Sequence, residues 1–305
     1  MNADLLIALL AAAVVSGTPI LYATLGEIIT EKSGVLNLGV EGAMMTGCFC
    51  AFITAKLTGQ PWLAFFAAGL AGLLAASIHG LVCLVFQGNQ VVSGLALTIF
   101  GVGLANYLGT PYIGLAAPGF APVPIPGLAE IPLLGPVLFN HDPLVYLSYL
   151  APFGLWLFFR HSRFGLGLRA VGEFPAAALA AGLNATAYRW AGILGGGFFM
   201  GLGGAYLSLA YTHLWTNNLT AGRGWIAVAL VIFAFWRPGR AVFGAYLFGG
   251  IMALQLRLQA GGANLPSSLL LMLPYALTVA VLLFSCRRRG TLGPAALGVN
   301  IEPSS

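Results

Sequence analysis

From Leu5 to Ser285 the chain is a succession of apolar stretches of membrane-spanning length, and its ionisable residues fall mostly between them. A spanning helix needs about 20 apolar residues, fewer where helices are broken. Nine stretches qualify: 5–25, 35–55, 62–86, 91–108, 143–159, 189–211, 222–235, 241–257 and 269–285. Only 7% of the 305 residues are charged, against about 25% in a soluble domain. No water-soluble surface can be built from so few. The expected fold is all-α, a polytopic transmembrane bundle.

The cations set the expected orientation. The longest charged interruption, 160–188, carries Arg160, Arg163 and Arg169 and abuts Arg189. Lys and Arg accumulate on the cytoplasmic side of short loops. Placing 160–188 inside puts ten cations in the connections 26–34, 87–90, 160–188 and 236–240 and the tail, counting Arg189 at its loop edge. Lys56, Arg223 and Arg257 are left outside. The N-terminus is then external and the C-terminus internal. Nothing basic precedes the first apolar run, so a secretory signal peptide is not expected. Within the loop, Pro175 opens an Ala/Leu run that stops at Gly182, the pattern of a short surface helix.

The external connection 109–143 holds eight of the seventeen prolines, with Pro122, Pro124 and Pro126 alternating. That spacing predicts extended backbone and no helix. The loop is either a rigid connector or a docking surface bearing Glu130, His141 and Asp142. In the sixth span, Gly192, Gly196, Gly197 and Gly201 fall in registers of four, which predicts close helix packing. The cysteines at 48, 50, 83 and 286 have no metal-like spacing and read as small apolar residues.

Few residues could carry chemistry. Glu41 lies in an apolar stretch, where a carboxylate must be neutral, paired or wet. Four residues from Asn37, it shares a face with it if that turn is helical. It is either a pathway residue or a tie between two helices near the inner end. Asn89, Gln90 and Ser93 open the fourth span and either offer polar groups to a ligand or cap the helix. His79, alone in its span, reads as a hydrogen-bonded core residue. The stretch Thr212–Asn218 reads as an entrance or an aromatic belt. A P-loop is excluded, since Lys32 and Lys56 follow Glu31 and Ala55. No zinc motif, nucleophile elbow or second intramembrane carboxylate beside Glu41 is evident.

The blocks Val35-Leu-Asn-Leu-Gly-Val-Glu-Gly42, Gly88-Asn-Gln-Val-Val-Ser-Gly-Leu-Ala-Leu97, Arg169-Ala-Val-Gly-Glu173 and Thr220-Ala-Gly-Arg-Gly-Trp225 resemble the permease subunits of ABC importers. The likeness is to the branched-chain amino acid/ribose superfamily, in its nucleoside (simple-sugar) branch, and runs from about Thr18 to Phe284. It implies a single permease domain over 1–305, with no cofactor or metal of its own. It also implies a second permease subunit, an ABC ATPase that uses ATP and Mg, and a substrate-binding lipoprotein or periplasmic protein. No nucleic acid is expected as a partner.

On the same likeness, a coupling helix at 169–183 meets the ATPase, with Arg169, Gly172, Glu173, Pro175 and Gly182 as its contact residues. The family pattern there has Asn, Arg and Asp where this chain has Phe174, Ala176 and Leu179. Asn37, Glu41, Asn89, Gln90, Ser93 and Thr98, the last standing in place of a family Asn, are the expected pathway residues. A sugar-importing permease, an ion-coupled carrier using Glu41 and a cargo-free scaffold remain as alternatives.

Overall fold

The computed structural model describes residues 3–261, 266, 269–270, 272–286 and 293–300. Helices follow in the order α1 (Ala3–Lys32), α2 (Val40–Thr58), α3 (Pro61–Gly80), α4 (Gln90–Gly109), α5 (Leu134–Leu138) and α6 (Pro143–His161). Then come α7 (Arg163–Glu173), α8 (Pro175–Ala180), α9 (Ala185–Tyr206), α10 (Arg223–Ala234), α11 (Pro238–Ala260) and α12 (Leu273–Cys286). π-helical turns, Leu81–Val85 and Leu207–Tyr211, extend α3 and α9. Among the described residues, six stretches are long and apolar enough to cross a membrane: 4–32, 40–58, 61–85, 90–112, 185–211 and 238–260. The other three expected spans coincide with α6, α10 and α12, which have 19, 12 and 14 residues and fall outside that set. The Arg287–Arg289 cluster lies outside the described residues.

α9 lies at the centre, packed against α1, α2 and α3 together. Its glycines permit this. Gly196 faces the Gly26 carbonyl on α1, while Gly197 and Gly201 face Gly72 and Ala68 on α3. With no Cβ on the contact line the backbones approach closely, as the four-residue registers predict. Most buried apolar side chains form one contiguous cluster around this seam.

Three boundaries differ from expectation. α2 starts at Val40 and not at residue 35. α1 continues through Pro19 to Lys32, so Glu27 and Glu31 belong to a helix and are 0% and 2% exposed. The region read as a connection therefore buries two carboxylates. In the Arg-rich loop, α7 precedes the expected short helix, which is present as α8 and stops at Gly182 (φ +83°). α7 is helical despite Gly165, Gly167 and Gly172 because Ser162 caps its start by accepting from the Gly165 N–H at 2.9 Å.

The Pro-rich loop is also more structured than its composition suggests. Pro136 sits in the first turn of α5, where its missing N–H has no helical role. Residues 110–112 form a 3₁₀ turn, and β1 (Val123–Pro124) pairs antiparallel with β2 (Asn140–His141). The loop folds onto 209–215 through backbone bonds from Gly114, Ala117 and Phe120. Of the three groups that favoured a docking surface, His141 and Asp142 are buried and Glu130 is exposed. Asp142 caps α6 by accepting from the Leu144 and Val145 N–H groups, and it accepts from the Tyr206 hydroxyl at 3.3 Å.

Candidate functional site

Residues 33–39, between α1 and α2, are not helical although they lie inside the apolar bundle. Irregular backbone in an apolar medium must have its polar groups satisfied by protein. Side chains from three helices and from the break itself do this. The Leu36 N–H donates to Gln90 Oε1 at 2.8 Å, and the Leu36 carbonyl lies 3.1 Å from His79 Nε2. The Asn37 N–H donates to Glu27 Oε1 at 3.2 Å, and the Leu38 carbonyl accepts from the Thr98 hydroxyl at 2.9 Å. Asn37 Oδ1 accepts from the Gly39 N–H at 2.8 Å. Ser93, 3.0 Å from His79 Nδ1, orients that ring. His79 is thus the hydrogen-bonded core residue expected of it.

Because Asn37 precedes the first turn of α2, it and Glu41 do not share a helical face. Glu41 turns instead toward α10. Its Oε1 accepts from the Thr220 hydroxyl at 2.5 Å and the Gly222 N–H at 2.8 Å, and Oε2 accepts from the Gly224 N–H at 2.6 Å. A carboxylate at the N-terminus of α10 satisfies orphan N–H groups and faces the positive end of the helix dipole. Gly42 packs on Leu97, Thr98 and Gly101, the middle of the 20-residue α4. A Cβ there would strike the Leu97 carbonyl. Glu41 therefore sits at mid-length of the bundle, not near an end. α10 starts at that same depth.

Of the expected pathway residues, the structure brings Asn37, Gln90, Ser93 and Thr98 together around the break. Glu41 stands apart, facing the start of α10 from α2, and Asn89 only caps α4, accepting from the Val92 N–H at 3.1 Å. Sequence reasoning missed Glu27, Thr220 and Arg223. The last is 6% exposed, bonds the Leu219 and Thr220 carbonyls and lies 5.3 Å from the Tyr211 ring. The signal for Glu27 was its spacing of four from Glu31 in a helix-compatible run. Trp215, expected in an entrance or aromatic belt, is fully buried against Phe49 and Phe52.

The Arg-rich end carries a second constellation. Arg169 donates to the Phe159 carbonyl at 3.4 Å. Gly172 is pressed against the Lys32 carbonyl. Pro175 opens α8, and Phe174 and Leu179 are exposed beside it. Residues 293–300 cross this end as a strap. The Ala296 N–H donates to the Gly172 carbonyl at 3.0 Å, and the Ala295 N–H to Glu173 Oε2 at 3.3 Å. Buried Arg189 donates to the Val299 carbonyl at 2.7 Å. Asn300 accepts from Gln90 Nε2 at 2.9 Å and donates to the Gln87 carbonyl at 2.8 Å.

A helical bundle with irregular backbone between α1 and α2, with α10 starting at mid-length and with most of its described arginines at one end, has the architecture of a membrane transport subunit. The chain belongs to the branched-chain amino acid transport system/permease component family, whose model matches residues 9–282. It is therefore a multi-pass permease, and a bacterial inner-membrane location is consistent with its apolar helices. It is 44% identical over 83% of its length to "Putative glucose ABC transporter permease protein TsgC13" of Haloferax volcanii, covering 78% of that protein. It is 34% identical to the guanosine ABC transporter permease protein NupQ of Bacillus subtilis, over 89% of each chain. With the nucleoside ABC transporter permease protein NupC of Lactococcus lactis it shares 33% identity over 93% of each chain. No solved structure gives a significant match. Membership of this family implies a transporter complex with other permease or ATPase subunits.

Proposed function

We propose that this chain is one of two related permease subunits of an ATP-driven importer whose cargo is a nucleoside. The observation that carries this reading is the likeness to NupQ and NupC along about nine-tenths of all three chains. Nine spans, with the N-terminus outside and the Arg-rich end in the cytoplasm, accommodate all the apolar helices and the cation distribution. The pathway runs beside the break between α1 and α2. Asn37, Gln90, Ser93 and Thr98 shape its irregular backbone, and Glu41 fixes the start of α10. Asn89 bounds the region on α4.

On the Arg-rich face, Arg169, Gly172, Glu173, Pro175 and Gly182 frame the helix pair that receives motion from a partner ATPase, which consumes ATP with Mg. A lipoprotein or periplasmic protein delivers cargo from outside. The exposed Phe174 and Leu179 favour an apolar contact with the ATPase.

A sugar is the second reading, favoured by the 44% identity with the Haloferax protein. Reconstitution with the partner subunits and a panel of labelled nucleosides and glucose separates the two. ATP-dependent nucleoside uptake supports the first. Uptake of glucose alone replaces it with the second, and uptake by this chain without ATP rejects both in favour of an ion-coupled carrier.

A further inference from the structure

At the Arg-rich end a cavity of about 650 Å³ opens between the last turn of α1, the last turn of α6, α7 and the α10–α11 turn. Five cations line it: Lys32, Arg160, Arg169, Arg237 and Arg240. Among the described residues none of the five is ion-paired with a carboxylate. The two nearby carboxylates are engaged elsewhere. Glu31 accepts from the Trp236 indole at 2.5 Å, and Glu173 accepts from the Ala295 N–H. Five cations against two committed carboxylates leave an excess of positive charge at the rim of an apolar bundle.

The walls are aromatic. Trp156, Phe159 and Trp236 line the same cavity, with Lys32 Nζ 5.4 Å from the Phe159 ring and Arg160 5.5 Å from the Trp156 ring. The apolar surface continues away from the cations along both flanking helices. Phe153, one turn before Trp156 and stacked on it at 5.8 Å, is 63% exposed on α6. Phe243, three residues beyond Arg240, is 67% exposed on α11. α6 and α11 pack together, and Phe243 also lines an apolar groove with Leu10, Tyr246 and Leu247.

We propose that this cavity binds the phosphodiester headgroup of an anionic phospholipid, whose acyl chains lie against Phe153, Trp156 and Phe243. The geometry matches an amphipathic anion. Guanidinium groups grip phosphate oxygens by charge-assisted hydrogen bonds. Aromatic rings suit the boundary between headgroups and acyl chains, and basic pockets between spanning helices are the usual form of such sites. A free phosphate or an acidic protein segment would use the cations and leave the aromatic continuation unused. The site does not depend on the cargo.

The full chain in a neutral detergent, titrated with phosphatidylglycerol, phosphatidylcholine or inorganic phosphate and read by native mass spectrometry, tests this. The R160Q/R240Q variant removes two cations from the rim and should weaken phosphatidylglycerol binding about thirty-fold. R163Q, on the same face but outside the cavity, should leave it unchanged and reports on general loss of charge. Phosphatidylcholine and phosphate should bind neither protein measurably. Equal phosphatidylglycerol binding by wild type and the double variant overturns the proposal, as does equal binding of phosphatidylcholine. Tight binding of phosphate alone makes it an anion site and overturns the lipid assignment. Loss of ATPase co-purification by the double variant with lipid binding intact makes it a protein-docking surface and also overturns it.

Discussion

The Glu41 carboxylate accepts the Thr220 hydroxyl at 2.5 Å, so the first turn of α2 is tied to the turn before α10 across 179 residues of sequence. With the Gly222 and Gly224 N–H groups on the same carboxylate, the tie has three donors.

Replacing Glu41 by Gln puts an amide NH₂ where one of the donors now points. Leaving a buried donor unsatisfied destabilises by about 1–3 kcal/mol. Thermal unfolding of E41Q in detergent should show a lower midpoint, and ATP-driven uptake should fall with it. An unchanged midpoint accompanied by a changed response to a proton or sodium gradient would instead make Glu41 the coupling group of an ion-driven carrier.

Gly42 has the mid-helix backbone of α4 against it, with the Thr98 Cα 2.9 Å from where a Cβ would stand. G42V forces the α2–α4 crossing apart. The overpacking should destabilise by about 1–3 kcal/mol or more, read as a lowered melting temperature and loss of monodisperse protein on size exclusion. G103V, on the same α4 but in open space, should melt within a degree or two of wild type.

The coupling role of α7 and α8 is tested away from Gly172, since a side chain there would collide with the Lys32 carbonyl and perturb the fold itself. Phe174 is 64% exposed and offers a cleaner change. In the assembled transporter F174D should leave insertion and cargo delivery intact while ATP hydrolysis no longer drives uptake. Normal uptake in F174D would remove α8 from the ATPase contact.

Arg189 holds the 293–300 strap through the Val299 carbonyl at 2.7 Å and the Ala296 carbonyl at 3.5 Å. R189A should release it, raising amide hydrogen exchange across 295–299 by at least about tenfold, the change expected when a charge-assisted bond worth about 1.5–3 kcal/mol is lost. Exchange in α9 beyond its first turn should stay as in wild type. Equal exchange at 295–299 would mean that the backbone bonds from Ala296 and Gly298 hold the strap without Arg189.

Much of the bundle was legible because lipid imposes simple patterns. The α9 glycines could be read since spacing alone brings them to one face, and His79 since a lone polar group in an apolar helix must find a partner. The helix over 175–180 announced itself by Pro175 and Gly182. Glu27 and Glu31 were misplaced because charge was taken to mark a loop, whereas here Trp236 and the Asn37 N–H satisfy it inside a helix. The Glu41–Thr220 tie was not legible at all. Nothing local to either residue encodes a partner 179 positions away. The buried Asp142 and Trp215 failed for a related reason, because the Pro-rich loop folds back over them through backbone bonds that leave no trace in side-chain composition.

The 293–300 strap joins the exit of α1, the start of α4, the end of α7 and the first turn of α9 with one short run of backbone. Four elements bridged by so few residues cannot shear past one another without parting a bond to that run. A fluorophore placed at Ala295 or Val299 would therefore register any rearrangement at this end, whichever helix moved first.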